Sequence, residues 1–538
     1  MKTKTLSPAF ILFASFIFLS YSSIAQFSEE KIDRLLSGQY KTDDPGAVAL
    51  VAQNGKVLFK KAYGMANLEL GVPMQTNMVF EIGSITKQFT AIAILMLVED
   101  GKIKLEDEIT KFIPDYPTHG HSITVHHLLT HTSGIRSYTD MPAFGEFWRK
   151  DYEPSEFIDV FKNEPMDFAP GKKWMYNNSA YYLLGMIIEK ASGMGYPDFI
   201  EKKIFQPLGM NNSFYGSRKK LIKNRACGYQ KEGEGYINAE YLSLTLPYAA
   251  GSLMSTVDDL LTWNTAVHSY KLVPEETLKK AFTNYTLSDG KETNYGYGWG
   301  LNSLGDNKTF EHSGGIFGFP TNAIYIPDLD IFVTVLSNNE SESPVEVSTR
   351  IAGLVAGVEF PDMEDVIKVK PEKLQEYVGV YEFGDDYTRT ISLSEGQLYS
   401  MRTGGSRFEI YPFERDKFFF RNSLSTLTFN RDEKGEIAGM TFINRLEIST
   451  GKKTDEVVTE KKEIGVSEEI MKRYTGVFEL QPGFDLTFTL EDGKLMSQAT
   501  GQDKFQVFPL SETVFFPKVV DAEIEFFVEG DGTVKRAE

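Results

Sequence analysis

Three short stretches hold the side chains that can do chemistry. Ser84-Ile85-Thr86-Lys87 sets a hydroxyl and an amine three residues apart. Residues at that spacing share one face of a helix, so the Lys87 amine can reach the Ser84 hydroxyl. A serine at a helix start also turns its own N–H toward a substrate, where the helix dipole favours negative charge. Tyr176-Asn177-Asn178 follows the turn Pro170-Gly171. A loop tyrosine can act as a general base if a nearby cation lowers its pKa, and Lys87 is the natural candidate. Asn178 offers both a donor and an acceptor for a substrate amide. His312-Ser313-Gly314-Gly315 combines small residues, which let a substrate lie along a strand edge, with a backbone N–H suited to an oxyanion hole. Each stretch alone has a plainer reading: an N-cap serine with a solvated lysine, an aromatic packed on a turn, and a glycine-rich loop.

The remaining reactive residue types point nowhere else. His119, His121, His126, His127 and His131 make up five of the seven histidines. His127 and His131 stand at helical i,i+4 spacing, which invites a metal reading. No carboxylate or cysteine is arranged with them in a ligand pattern, so neither a metal nor another cofactor is expected. Cys227 is the only cysteine, which excludes an intrachain disulfide. Between Ala226 and Gly228 it reads as inert.

The elements that must position these groups follow from periodicity. Ala47–Ala52 and Val57–Ala62 flank Asn54-Gly55 and read as a β-hairpin. A helix begins near Ser84, with Ile85, Phe89, Ile92, Leu95 and Met96 on its buried face and Gly101 placed to stop it. Further helices are expected at Thr124–Thr130, Tyr181–Ala191 and Thr256–Val267, and strands at Thr321–Ile326 and Ile331–Leu336. Strands at both ends with helices between them predict an α+β domain, one antiparallel sheet with a helical cluster against it, over residues 26–362.

Beyond about Pro361 the texture changes to short alternating runs, such as Thr388–Leu393, Lys417–Arg421 and Thr426–Asn430, the pattern of small β-barrels. This tail repeats itself. Glu376-Tyr377-Val378-Gly379-Val380-Tyr381-Glu382 matches Arg473-Tyr474-Thr475-Gly476-Val477-Phe478-Glu479, and the same offset carries Phe418-Phe419 to Phe515-Phe516 without a gap. Two copies of one all-β barrel unit are expected, at 363–448 and 467–538, joined by a polar linker at 449–466.

The N-terminus reads as a signal peptide: Lys2 and Lys4, an uncharged apolar run Phe10–Leu19, and Ser23-Ile24-Ala25 as cleavage site. Cleavage after Ala25 removes two lysines and no acid, taking the net charge from −19 to −21. No other stretch is apolar enough to span a bilayer, so a periplasmic or secreted location is expected. Such an acidic chain is a poor partner for nucleic acid or anionic lipid.

Ser-x-x-Lys, Tyr-x-Asn and His-x-Gly, in this order, resemble the motifs of class C β-lactamases and low-molecular-mass penicillin-binding proteins, one serine-hydrolase superfamily. Phe80–Lys87, Ile123–Gly134, Pro207–Met210 and Tyr295–Trp299 also look like its signature segments. The resemblance covers residues 35–355. The two-barrel tail, lipocalin-like in kind, is similar in architecture to that of D-aminopeptidases. The resemblance implies that Ser84 is the acylated nucleophile and that Lys87 and Tyr176 shuttle its proton. It also implies that the N–H groups of Ser84 and Gly315 form the oxyanion hole, and that Asn178, His312, Ser313 and Gly314 bind substrate. One residue departs from the β-lactamase pattern: His312 stands where those enzymes carry a lysine. Weakening of that fixed charge disfavours β-lactams and leans toward esters, amides or D-amino-acid-containing peptides, a D-aminopeptidase-like or D-Ala-D-Ala peptidase-like activity, since some D,D-peptidases of the superfamily share the histidine. An esterase or weak β-lactamase of the same fold, and a penicillin-binding sensor that acylates without turnover, are the alternatives.

Overall fold

The computed structural model describes residues 29–537, apart from 385–386, 422, 459–460, 482–483, 501, 503 and 531–532. The expected signal peptide at 1–25 lies outside the described residues. The chain divides into two compact units between Phe360 and Pro361.

In the first unit, Asn54 and Gly55 both adopt left-handed φ, 51° and 70°. A tight two-residue hairpin needs this, and Asn and Gly tolerate it. The turn joins β1 (Ala47–Gln53) to β2 (Lys56–Tyr63). Four strands from the far end of the unit complete the sheet: β3 (Gly300–Leu304), β4 (Asn307–Ile316), β5 (Phe319–Ile326) and β6 (Ile331–Ser337). The antiparallel order is β3-β4-β5-β6-β1-β2, with β1 against β6 from Ala47↔Ser337 to Gln53↔Ile331.

Helices cover both faces: α1 (residues 29–39), α2 (Thr86–Glu99), α3 (Asn178–Ser192), α4 (Val257–His268) and α5 (Pro344–Ala356). Ala47, Ala49 and Val51 of β1 pack with Leu36 of α1 and Ile351 of α5. Val48, Leu50 and Ala52 enter the larger core with Phe89 of α2 and Tyr181 of α3. A strand buried on both faces reads as a continuous apolar run, which is why β1 shows no alternation. In β4 the sheet opens. Gly300 pairs with Glu311, so β3 stops there and residues 312–316 have no strand on that side among the described residues.

The second unit holds the two repeats. Eight strands from Gly379–Phe383 to Glu447–Lys453 form a closed barrel, sealed by Tyr381↔Lys453 and Glu382↔Lys452. Ser449–Lys453, expected as linker, are therefore part of its last strand. Closure is made by backbone pairing, which polar side chains do not hinder, so composition alone hid it. The second copy is a nearly closed sheet of seven strands among the described residues, Gly476–Gln481 to Val534–Ala537. The two cores match position by position: Tyr377, Ile391, Leu398, Ile410, Phe418 and Phe429 answer to Tyr474, Phe488, Leu495, Val507, Phe515 and Phe526.

Candidate active site

The chain enters the site along Phe80–Glu81, turns through a short 3-10 segment at Gly83–Ile85, and continues into α2. Glu81 is fully buried and holds the approach in place through Arg218 at 2.9 Å and Arg225 at 2.7 Å. Gly83 has φ +51°, and a Cβ there would lie 2.7 Å from the Gly315 amide nitrogen. A Cβ on Gly314 would lie 2.1 Å from the Ile82 carbonyl oxygen and 2.3 Å from Thr321 Oγ1. Both contacts are too short for any side chain, so only glycine lets the Ser84 turn rest against β4.

Lys87, one turn into α2, is fully buried. Its Nζ lies 3.0 Å from Ser84 Oγ, 2.8 Å from Asn178 Oδ1 and 2.9 Å from the Ala250 carbonyl oxygen. No carboxylate forms an ion pair with it among the described residues, and burial pushes its pKa well below the ordinary lysine value. A neutral amine has two hydrogens and one lone pair. Asn178 Oδ1 and the Ala250 carbonyl can only accept, so they take the hydrogens. The lone pair is left to the Ser84 hydroxyl.

Tyr176 sits behind this pair, its ring centroid 4.7 Å from Lys87 Nζ and its phenol in contact with the Ser84 side chain. The expectation that Lys87 lowers its pKa is reversed. Burial dominates and pushes the phenol up, with the Ser84 contact a smaller opposing influence. The phenol therefore remains a proton donor. Asn177 caps α3, its Oδ1 accepting from the Ala180 N–H at 2.8 Å. That cap presents Asn178 to Lys87, while Asn178 Nδ2 donates to Thr139 Oγ1 at 3.1 Å. One of its two amide hydrogens remains for a substrate.

His131 is a site residue that motif reading passed over. It does not share a helix with His127: the helix ends at Leu129, and His131 has φ 58°. It is fully buried, 4.5 Å from the Tyr176 ring centre to centre, and its Nδ1 accepts the Asn177 N–H at 3.0 Å. His127 serves instead in a capping box with Thr124.

His312 is buried in β4. Its Nδ1 lies 2.6 Å from the Ser313 carbonyl oxygen and its Nε2 2.9 Å from Tyr295 Oη. The carbonyl needs a donor, so the proton sits on Nδ1 and Nε2 accepts from the phenol. Burial, aided by Lys87, pulls its pKa down to about 3. No positive charge stands at this position. Ser313 and Gly315 face outward on the free edge of β4. Ser84, Asn178 and Gly315 line a cavity of about 330 Å³ whose other walls are mostly apolar, Phe144, Leu246 and Phe317 among them.

The Beta-lactamase family profile matches residues 32–357. The chain belongs to this family. It is a serine hydrolase of the β-lactamase and penicillin-binding-protein superfamily. Penicillin-binding protein 4* of Bacillus subtilis (strain 168) is 31% identical over 420 residues, covering 73% of this chain and 91% of that one. The octameric penicillin-binding protein homologue from Pyrococcus abyssi superposes with a TM-score of 0.55 at 27% identity, over 80% of this chain and all of that one. The D-stereospecific amidohydrolase from Streptomyces sp. gives 0.53 at 26% identity, over 61% and 99%. Residues 364–454 and 460–538 each match a domain of unknown function (DUF3471), so the internal repeat is two copies of one family unit.

The structure thus brings Ser84, Lys87, Tyr176, Asn178, His312 and Gly315 to one place. Sequence reasoning missed His131, the Ala250 carbonyl and Tyr295. His131 and Tyr295 lay inside the quoted signature segments, a signal that marked the segment but not the residue. A backbone carbonyl leaves no trace in side-chain types.

Proposed function

We propose that the protein is an exported acyl-transferring hydrolase in which Ser84 attacks an amide or ester carbonyl. Lys87, neutral and hydrogen-bonded to the hydroxyl, takes the Ser84 proton. Tyr176, a phenol held protonated by burial, relays a proton to the departing amine or alcohol. The N–H groups of Ser84 and Gly315 receive the oxyanion, and Asn178 orients the acyl portion. Water then cleaves the acyl-enzyme. The observation that carries this reading is the partner set of Lys87: two pure acceptors and one hydroxyl around a desolvated amine. Export rests on the signal-peptide pattern of residues 1–25.

The substrates are D-amino-acid-containing amides, peptides or esters, in preference to β-lactams or peptides read by a C-terminal carboxylate. A neutral His312 supplies no charge for such a carboxylate, and the relative from Streptomyces is a D-stereospecific amidohydrolase. A serine-directed fluorophosphonate should label the wild type and not Ser84→Ala. The same pair of proteins, tested on D-amino-acid amides, D-Ala-D-Ala peptides, p-nitrophenyl esters and a β-lactam, should show steady-state turnover of the first or third class. Labelling that survives Ser84→Ala would end the proposal. A stable β-lactam adduct with no turnover of any substrate would favour the sensor alternative.

A further inference from the structure

Asn178, Gly315, Ile316, Phe317 and Glu340 all line the cavity beside Ser84, and neither Tyr176 nor His312 does. The group that protonates the leaving atom must face the leaving side, so a cavity that Tyr176 does not line is assigned to the acyl portion. Its walls are apolar, apart from the reacting groups and a few hydroxyls. Among the described residues, Glu340 is the only charged one lining it.

Glu340 follows β6 and is exposed. Its Oε2 accepts the N–H of Gly318 at 2.7 Å, at the turn between β4 and β5. That bond accounts for one oxygen. No lysine or arginine forms an ion pair with Glu340 among the described residues, so its charge is available to the cavity. Gly318 lies three residues beyond Gly315, at the tip of the hairpin. Three residues reach at most about 10 Å. An ammonium on the α-carbon would stay two bonds from the carbonyl carbon at the Gly315 N–H, well short of the tip. A cation several bonds further along the acyl chain would arrive beside Glu340.

We propose that Glu340 is an ammonium-binding subsite on the acyl side of the cleft, selecting amides and esters whose apolar acyl chain ends in a positive charge. This rests on the hydrolase reading of the same site and names its substrate class more closely. Charge selection here comes from the opposite sign and the opposite side to that of a β-lactamase lysine.

The test compares p-nitrophenyl esters of 6-aminohexanoic and heptanoic acid, nearly equal in length and different in charge. The wild type should favour the amino ester by about five- to tenfold in kcat/KM, mostly through KM, a preference that shrinks with added salt. Glu340→Gln keeps an acceptor for the Gly318 N–H, so the turn is preserved while the charge is removed. In that variant the ratio should fall to about one. A ratio that is the same in both proteins, or no preference in the wild type, overturns the subsite while Ser84-dependent turnover leaves the hydrolase reading standing. No turnover of either ester, with D-amino-acid amides still hydrolysed, overturns the subsite alone; no turnover of esters and amides alike overturns both.

Discussion

The catalytic unit and the first barrel each bury a basic side chain without a carboxylate to pair it, and they make opposite use of it. Lys87 is fully buried and Arg389 is 8% exposed. Arg389 donates to Ser400 Oγ at 3.0 Å and lies 4.8 Å from the Phe442 ring, but its Nε has no hydrogen-bond partner among the described residues. Desolvation lowers both pKa values. A lysine can answer by shedding its proton, which in the mechanism proposed above makes it a base next to a hydroxyl. An arginine stays charged in any protein, so the same environment only leaves a cation for Tyr387, Glu447 and the Phe420 and Phe442 rings to offset. In the second barrel Leu486 occupies the position matching Arg389, and Ser497, matching Ser400, is buried with no partner for its hydroxyl among the described residues. Burial yields chemistry only where the group can change protonation state.

The sharpest way to break this comparison is to make the cleft resemble the barrel. Lys87→Arg should lower acylation by about 10²–10⁴-fold, close to Lys87→Met, because a permanent cation cannot accept the Ser84 proton. Single-turnover labelling with a fluorophosphonate reads this directly, and a rate near wild type would show that charge rather than basicity matters. The wild-type kcat/KM should also fall at acid pH as Lys87 takes up its proton. The midpoint should lie well under the ordinary lysine value of 10.5, since burial lowers it. A rate that rises only above pH 10 would mean that burial leaves the amine charged.

His312 extends the comparison to a second base that sheds its proton. Its pKa is about 3 in the fold against 6.5 for the ordinary side chain. Between these values the unfolded chain binds a proton that the folded one does not. The contribution is therefore fully present above pH 6.5 and is lost as pH falls toward 3. Urea melts across this window should show a shallower decline for His312→Gln than for the wild type.

Arg389→Met should leave kcat/KM unchanged and alter stability by between zero and about 3 kcal/mol in the favourable direction, as replacement of a buried charge by apolar volume does. A large loss in urea melts would mean that Tyr387 and Glu447 more than offset the desolvation of Arg389. The smallest effects separate the two barrels. Ser400→Ala removes the acceptor of a buried guanidinium and should cost about 1–3 kcal/mol, whereas Ser497→Ala removes an orphaned hydroxyl and should be neutral or slightly stabilising. Equal costs would mean the two serines see the same surroundings.

Much of this was legible before any coordinates. The Asn54-Gly55 hairpin, the start of α2 near Ser84 and the strand pair around Pro327 are local, set by turn residues and periodicity. The repeat was readable because each copy carries its whole core within itself. The candidate site was readable as motifs whose order carried the inference. What escaped was whatever depends on packing between distant segments. Tyr176 was expected to be activated by Lys87, but the sign of its shift depends on how deeply it is buried, beside His131 and His312, and on Lys87 being desolvated too. α3 begins at Asn178 rather than Tyr181 because Asn177 caps it, a polar start that an apolar pattern overlooks. The strand closing the first barrel escaped because its side chains look like a linker's.

The contact between the Ser84 turn and β4 has a consequence for how specificity can drift in this family. Gly83 and Gly314 touch backbone with no room for even a methyl group, so the two amides proposed to receive the oxyanion cannot be eased apart by small mutational steps. In that mechanism the reacting carbonyl must always occupy the same spot. New substrates can then be gained only by reshaping the walls around it, and variants selected for altered preference should cluster at Phe144, Leu242, Leu246 and Phe317, leaving both glycines untouched.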